Sequence, residues 1–206
     1  MPVSDAYATL AMYKSIVGKT SAGDDAIIPD DLMAVSRYLD WKLERFFTKD
    51  AAAVARTYLP SVYTDSLVVD DIASTAGLTI KVDTNRDGSF TSETAFGASD
   101  YQLWPLNAAT GPEPKPWTKI VIPPWSTRGN FMPGYMVEVT SVGGFPAIPK
   151  AIERMTCHLT GILRVESPRA TQRIPEAMDR AFSASPRAID IIAELMAAYA
   201  RPTVFS

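Results

Sequence analysis

Hydrophobic residues in this chain change their spacing twice, and that switch constrains the fold more than any single motif does. Up to about residue 50 they recur at three- and four-residue steps, from about Ala52 to Gly144 at alternate positions, and then at helical steps again. In "TLAMYKSIVGKT" Leu10, Tyr13, Ile16 and Val17 share a helical stripe, with Thr9 placed to cap its start and Gly18 to follow its last turn. "IIPDDLMAVSRYLDWKLERFFTK" carries Ile28, Leu32, Val35, Leu39, Leu43 and Phe46 on one face, and Pro29 sits where a first turn tolerates proline. Downstream, "IPKAIERMTCHLTGILRVE" aligns Ile148, Ile152, Met155, Leu159 and Ile162, and "PRAIDIIAELMAAYAR" brings Ile189, Ile192, Leu195, Met196 and Tyr199. "SPRATQRIPEAMDRAFSASP" reads as a loop with one helical turn around Glu176 to Phe182.

The middle of the chain predicts seven strands: "VARTYL", "DSLVVDDI", "GLTIKV", "FTSETAF", "YQLWPL", "TKIVIP" and "YMVEVTSV". The expected class is therefore α+β: a bundle of about four helices with an antiparallel β module inserted between the second and third long helices. The expected parts are an N-terminal helical region, 1–50, the β module, 51–145, and C-terminal helices, 146–206, packing back on the first.

Within the module, "VDTNRDGSFTSE" raises the sharpest chemical question. Asp83, Asn85 and Asp87 alternate before Gly88, as at the start of an EF-hand calcium loop. The clamping glutamate of that motif belongs at Thr94, and Glu93 stands one residue early. The flanks also alternate like strands, whereas an EF-hand needs helices. Asp87-Gly88 between two alternating runs instead predicts a hairpin tip, with calcium as the lesser reading.

Most catalytic arrangements fail on inventory. His158 is the only histidine and Cys157 the only cysteine, so multi-imidazole metal sites and internal disulfides have no residues to build them. The two are sequence neighbours about 100° apart around a helix, so thiol and imidazole diverge. Cys157 is expected in the core and His158 at a surface. No glycine-rich phosphate cradle occurs. The pairs Asp24-Asp25 and Asp30-Asp31 suit helix starts, and Asp70-Asp71 would face opposite sides of a strand. The expectation is a protein that is not an enzyme and holds no cofactor. With 21% charged residues and a formal net charge of -3, no basic tract offers the footprint of a DNA binder. No run is apolar for long enough to cross a bilayer, and "MPVSDAYATL" lacks signal-peptide design, so a soluble protein made in a cytoplasm is expected, with no membrane partner. Trp104, Trp117 and Trp125 among prolines leave open an alternative, a carbohydrate- or peptide-binding β module.

Five segments in order resemble the head-to-tail connector (adaptor, or head-completion) family of tailed bacteriophages. They are "YATLAMYKSIVG" with "DDAIIPDDLMAVSRYLDWKLERFF", then "SLVVDDIASTAGLTIKVDTNRDGSF", "ASDYQLWPLNA", "VEVTSVGGFPAIPKAIERMTCHL" and "IDIIAELMAAYAR". Pro29 interrupts a helix start that is often unbroken in that family, and "TQRIPEAMDRAFSASP" does not align. The resemblance implies a structural virion protein of the neck between head and tail, made in the bacterial host. It implies a ring, usually of twelve copies, under the portal vertex, touching the portal protein on one side and a head-closure or tail-completion protein on the other. Double-stranded DNA would pass through the lumen without specific binding. A ring needs heterologous side contacts, and its candidates here are Trp41, Phe46 and Phe47 at a helix end. Tyr199, Val204 and Phe205 in the closing segment are the candidates for the portal.

Overall fold

A computed structural model of the chain describes residues 6–166 and 175–199. Among these residues five helices and one five-stranded antiparallel sheet make up an α+β fold. The chain divides into two compact units: a helical one from residues up to Phe47 and from Ile148 on, and a β unit from Thr48 to Ala147.

In the helical unit, α1 (Leu10–Val17) starts and stops as its sequence dictates. The Thr9 hydroxyl accepts from the Met12 N–H at 3.2 Å, and Gly18 closes the helix in the left-handed region with φ 72°. Helix α2 (Ile28–Leu43) has Pro29 in its first turn and buries Ile28, Leu32, Val35, Tyr38, Leu39 and Leu43. It ends at Glu44, which takes φ 52°. The helical repeat therefore stops before Phe46, which turns outward, while Phe47 turns in.

Helix α3 (Lys150–Glu166) buries a different stripe from the expected one. Ile152 and Leu159 are covered, but so are Thr156, Cys157, Thr160 and Leu163, while Met155 and Ile162 are only half-buried. Thr156 can enter this core because its hydroxyl donates to the Ile152 carbonyl at 2.7 Å, satisfying itself within the helix. Helix α4 (Pro175–Ser183) forms where a single turn was expected. Helix α5 (Pro186–Tyr199) buries Ala188, Ile191 and Leu195 and leaves Ile189 and Met196 exposed. Arg164 ties the helices electrostatically, reaching Asp31 at 2.6 Å and Asp24 at 2.9 Å.

In the β unit, the strands β1 (Val54–Tyr58), β2 (Ser66–Val82), β3 (Gln102–Trp104), β4 (Trp117–Val121) and β5 (Val137–Gly143) lie in the order β1-β5-β2-β4-β3. Two of the seven expected strands merge. "DSLVVDDI" and "GLTIKV" are one 17-residue strand, irregular in register between Val68 and Thr79, which pairs with β4 through its first part and largely with β5 through its second. The strand predicted at "FTSETAF" does not form. That segment is held as a loop by the Phe96 N–H on the Ile80 carbonyl, 2.9 Å, the Lys81 ammonium on the Phe90 carbonyl, 2.8 Å, and Arg128 on the Ala95 carbonyl, 3.2 Å. The core of the unit is Leu67, Val69, Ile72, Ile80, Ile120, Ile122, Phe131, Val137 and Val139.

The consecutive glycines after β5 have a steric cause. A Cβ on Gly144, at φ +89°, would collide with the Thr48 carbonyl oxygen, and one on Gly143 would lie 2.6 Å from Asp50 Oδ2. Close passage of the 48–50 segment, fixed by the Asp50 N–H on the Gly143 carbonyl at 3.0 Å, therefore requires glycine.

Candidate functional site

The aspartate-rich segment after β2 is not the tip of a two-stranded hairpin, because its second strand is absent. It is a loop folded around its own carboxylates. Asp83 is 1% exposed; its Oδ1 accepts from the Asp87 N–H at 3.2 Å and its Oδ2 from the Gly88 N–H at 2.9 Å. Asp87 Oδ1 accepts from the Ser89 N–H at 2.8 Å, and the Asn85 amide donates to Asp87 Oδ2 at 3.0 Å. Glu93 turns to Thr84, accepting from its N–H and its hydroxyl at 3.0 Å. Arg86 and Gly88 take the left-handed region, φ 60° and 78°, and the Arg86 guanidinium lies over the Tyr135 ring at 4.1 Å. The alternation of Asp83, Asn85 and Asp87 thus has a structural use, since short polar side chains cap the backbone of a tight turn. Among the described residues no group of three or more His, Cys, Asp or Glu side chains is placed to hold a metal ion.

The contact residues expected at the end of α2 separate. Trp41 is 45% exposed, with the Lys42 ammonium 5.6 Å from its ring, and Phe46 is 57% exposed. Phe47 is fully buried. Its ring meets Tyr7 and Tyr199 edge-on, both at 5.7 Å, and its N–H donates to the Tyr7 hydroxyl at 3.1 Å. Phe47 and Tyr199 are therefore committed to packing within the helical unit, because the turn at Glu44 reverses which of two adjacent phenylalanines faces inward. Val204 and Phe205 lie outside the described residues.

Cys157 sits in the cluster of Ala8, Tyr13, Ile28 and Leu32, where burial pushes its thiol up to about 11. That is a thiol kept protonated, not a nucleophile. His158 is half-exposed; burial, and then the positive charge of Arg187, lower its proton affinity. Of the three tryptophans weighed as a groove, Trp117 packs against the sheet core, while Trp104 and Trp125 are 43% and 69% exposed.

The sequence did not reveal how much apolar surface stays open. In the helical unit Ile189, with Met196 two turns on, forms an outer stripe on α5. In the β unit the 59–64 and 122–132 loops run together, pinned by paired bonds between Thr64 and Phe131 at 3.0 and 2.8 Å. They carry Leu59, Val62, Tyr63, Trp125 and Met132, each 46–69% exposed. The one charged side chain of these two loops is Arg128, bound to Asp100 at 3.3 Å and set over Phe96.

The chain matches no protein-family model and no curated protein. Among solved structures it is similar to a chain from the neck of an empty GTA particle, computed with C6 symmetry. The identity is 13% and the TM-score 0.43, over 83% of this chain and 87% of that one. A likeness of that size carries neither a shared fold nor a shared role.

Proposed function

We propose that this protein is a structural part of a virion, a head-to-tail connector that forms a ring under the portal vertex and offers a platform to the closure or tail protein below. The ordered resemblance of five sequence segments to that family supplies the assembly. The observation in the structure that supports it best is the uncovered apolar surface on each unit, chiefly the outer stripe of α5 and the paired loops bearing Leu59, Tyr63, Trp125 and Met132. Clustered exposed apolar side chains mark contact surfaces, and a ring member needs two such surfaces, non-identical, for head-to-tail contact with its neighbours.

On this reading the protein makes and breaks no bonds. Its single histidine and single cysteine are not arranged as a reacting pair, and Asp83 and Asp87 are spent on the turn they cap. With a formal net charge of -3, a lumen lined by such subunits would not grip passing phosphates by counterion release.

The test is to mix the purified chain with the portal protein of the same particle and to measure mass and image the product. The expected result is added ring density below the portal with several copies per portal. A chain that stays monomeric beside portals, or infectious particles assembled without its coding region, would overturn the proposal.

A further inference from the structure

Helix α3 carries more apolar side chains than its neighbours cover. Ile162 and Val165 stand off its buried stripe, with Val165 79% exposed, and Ile16 and Val17 near the end of α1 face the same space, Val17 41% exposed. With His158, Gly161, Ser185 and Arg187 they line a groove of about 490 Å³ within the helical unit. Gly161 leaves the side of this groove open, since a Cβ there would meet only the Val17 methyls, at 3.7 and 3.8 Å.

One end of the groove is polar. Helix α5 begins there, with the Ser185 carbonyl accepting the first helical bond from the Ile189 N–H at 3.0 Å. The N–H groups of Arg187 and Ala188 in its first turn find no acceptor among the described residues. The Thr9 hydroxyl caps α1, but the Ser185 hydroxyl makes no such bond to its own helix, nor any other among the described residues. Ser185 is nonetheless only 7% exposed and faces the groove. The Arg187 guanidinium is exposed and makes no ion pair among the described residues, and no carboxylate lines the groove. His158 adds a ring N–H from the α3 side. Donors with no protein partner among the described residues, a guanidinium and the positive end of a 14-residue helix border the same groove, and what complements them is an anionic oxygen group.

The geometry points to a docking groove for a carboxylate-bearing apolar segment of a partner protein, its carboxylate against Ser185, Arg187 and the start of α5, its apolar side chain between Val17, Ile162 and Val165. Both rims of the groove are open to solvent. A free small acid would keep much of its surface in water and gain little, whereas a segment anchored elsewhere on its own protein meets the groove at high effective concentration. This chemistry goes beyond a role in a particle neck and does not depend on it.

The minimal probe is N-acetyl-leucine, a carboxylate on a leucine side chain, titrated into the ¹⁵N-labelled full chain, with N-acetyl-leucinamide as the uncharged control. Saturable shifts are expected at the amides of Gly161, Arg187 and Ala188, with a Kd on the order of millimolar for so small a ligand. The control should bind at least about fivefold more weakly, as the loss of one charge-assisted contact requires. Arg187→Ala, at an exposed position, should weaken the acid by about tenfold and leave the amide unchanged. Gly161→Leu should abolish both by filling the groove. No saturable shift at these three amides, equal affinity for acid and amide, or binding that survives Gly161→Leu in a folded chain would overturn the assignment. Shifts of the same amides on diluting the protein alone would also overturn it, by showing that a second copy occupies the groove.

Discussion

At the residue scale the least obvious group is Asp40, 6% exposed on α2, which accepts a short hydrogen bond from the Tyr7 hydroxyl. Arg37 approaches its other oxygen at 3.1 Å, and the guanidinium also lies 5.4 Å from the Tyr7 ring centre. Burial outweighs both partners and pushes the Asp40 carboxyl up to about 6, from an ordinary 3.8. A carboxyl raised in the folded state holds its proton more tightly there than in the unfolded chain. Its contribution to stability is complete below about pH 4 and is lost as pH rises through about 6. Asp40→Asn keeps an acceptor for Tyr7 and cannot ionise. It should match the parent near pH 4 and exceed it at pH 7.5 by on the order of 1–3 kcal/mol. Urea unfolding at the two pH values measures this, and a pH-independent difference would count against a buried ionisation. Thr160 offers a second case: its hydroxyl is buried without a partner among the described residues. Thr160→Val should raise Tm by about 2–4 °C, the equivalent of roughly 1 kcal/mol in a chain of this size.

At the scale of elements, Gly144 tests the junction after β5. Alanine there would have to leave both the left-handed region and the Thr48 carbonyl, so Gly144→Ala should cost at least about 2–3 kcal/mol in thermal or urea unfolding. Whether an element could be read from sequence followed from how local its determinants are. Helix α1 was legible because Thr9 and Gly18 act on their own turns, and α2 because Ile28, Leu32, Val35, Leu39 and Leu43 recur on one face at helical steps. The stripes of α3 and α5 were misplaced by a fraction of a turn. In α3 the buried positions include Thr156 and Thr160, whose polarity hides them. In α5 the helix is apolar on two faces, and only tertiary packing selects Ala188, Ile191 and Leu195 over Ile189 and Met196. Likewise the alternation in "FTSETAF" suits a strand, yet it meets β2 through the Phe96 N–H on the Ile80 carbonyl, while the Lys81 and Arg128 side chains take the Phe90 and Ala95 carbonyls. Of the candidate site residues, Phe46 and Phe47 could not be told apart in sequence, since the φ of Glu44 decides between them. The groove at the start of α5 could not be read at all, because Gly161, Ser185 and Arg187 meet only through packing.

At the scale of the whole molecule, the question is whether the stripe on α5 is a contact between ring members. Ile189 and Met196 are 49% and 41% exposed, so the folded chain gains little from burying them within itself, and lysines there keep their charges in water. Ile189→Lys with Met196→Lys should therefore leave Tm within about 2 °C of the parent, as surface changes away from special features do. A standard interface covers roughly 800 Å² on each partner, and its apolar centre carries most of the energy. If that centre includes this stripe, closing a ring buries two unpaired ammonium groups per contact, and each loses several kcal/mol of hydration on the order expected for desolvated charge. Because a ring repeats the contact at every subunit, the penalty recurs around the circle. The double variant should then remain monomeric beside portals on which the parent assembles, as read by mass measurement at equal concentrations. Rings of unchanged mass and affinity from the lysine variant would remove α5 from the subunit contact and leave the exposed aromatic end of α2, Trp41 and Phe46, and the paired loops of the β unit as the surfaces that a ring must use.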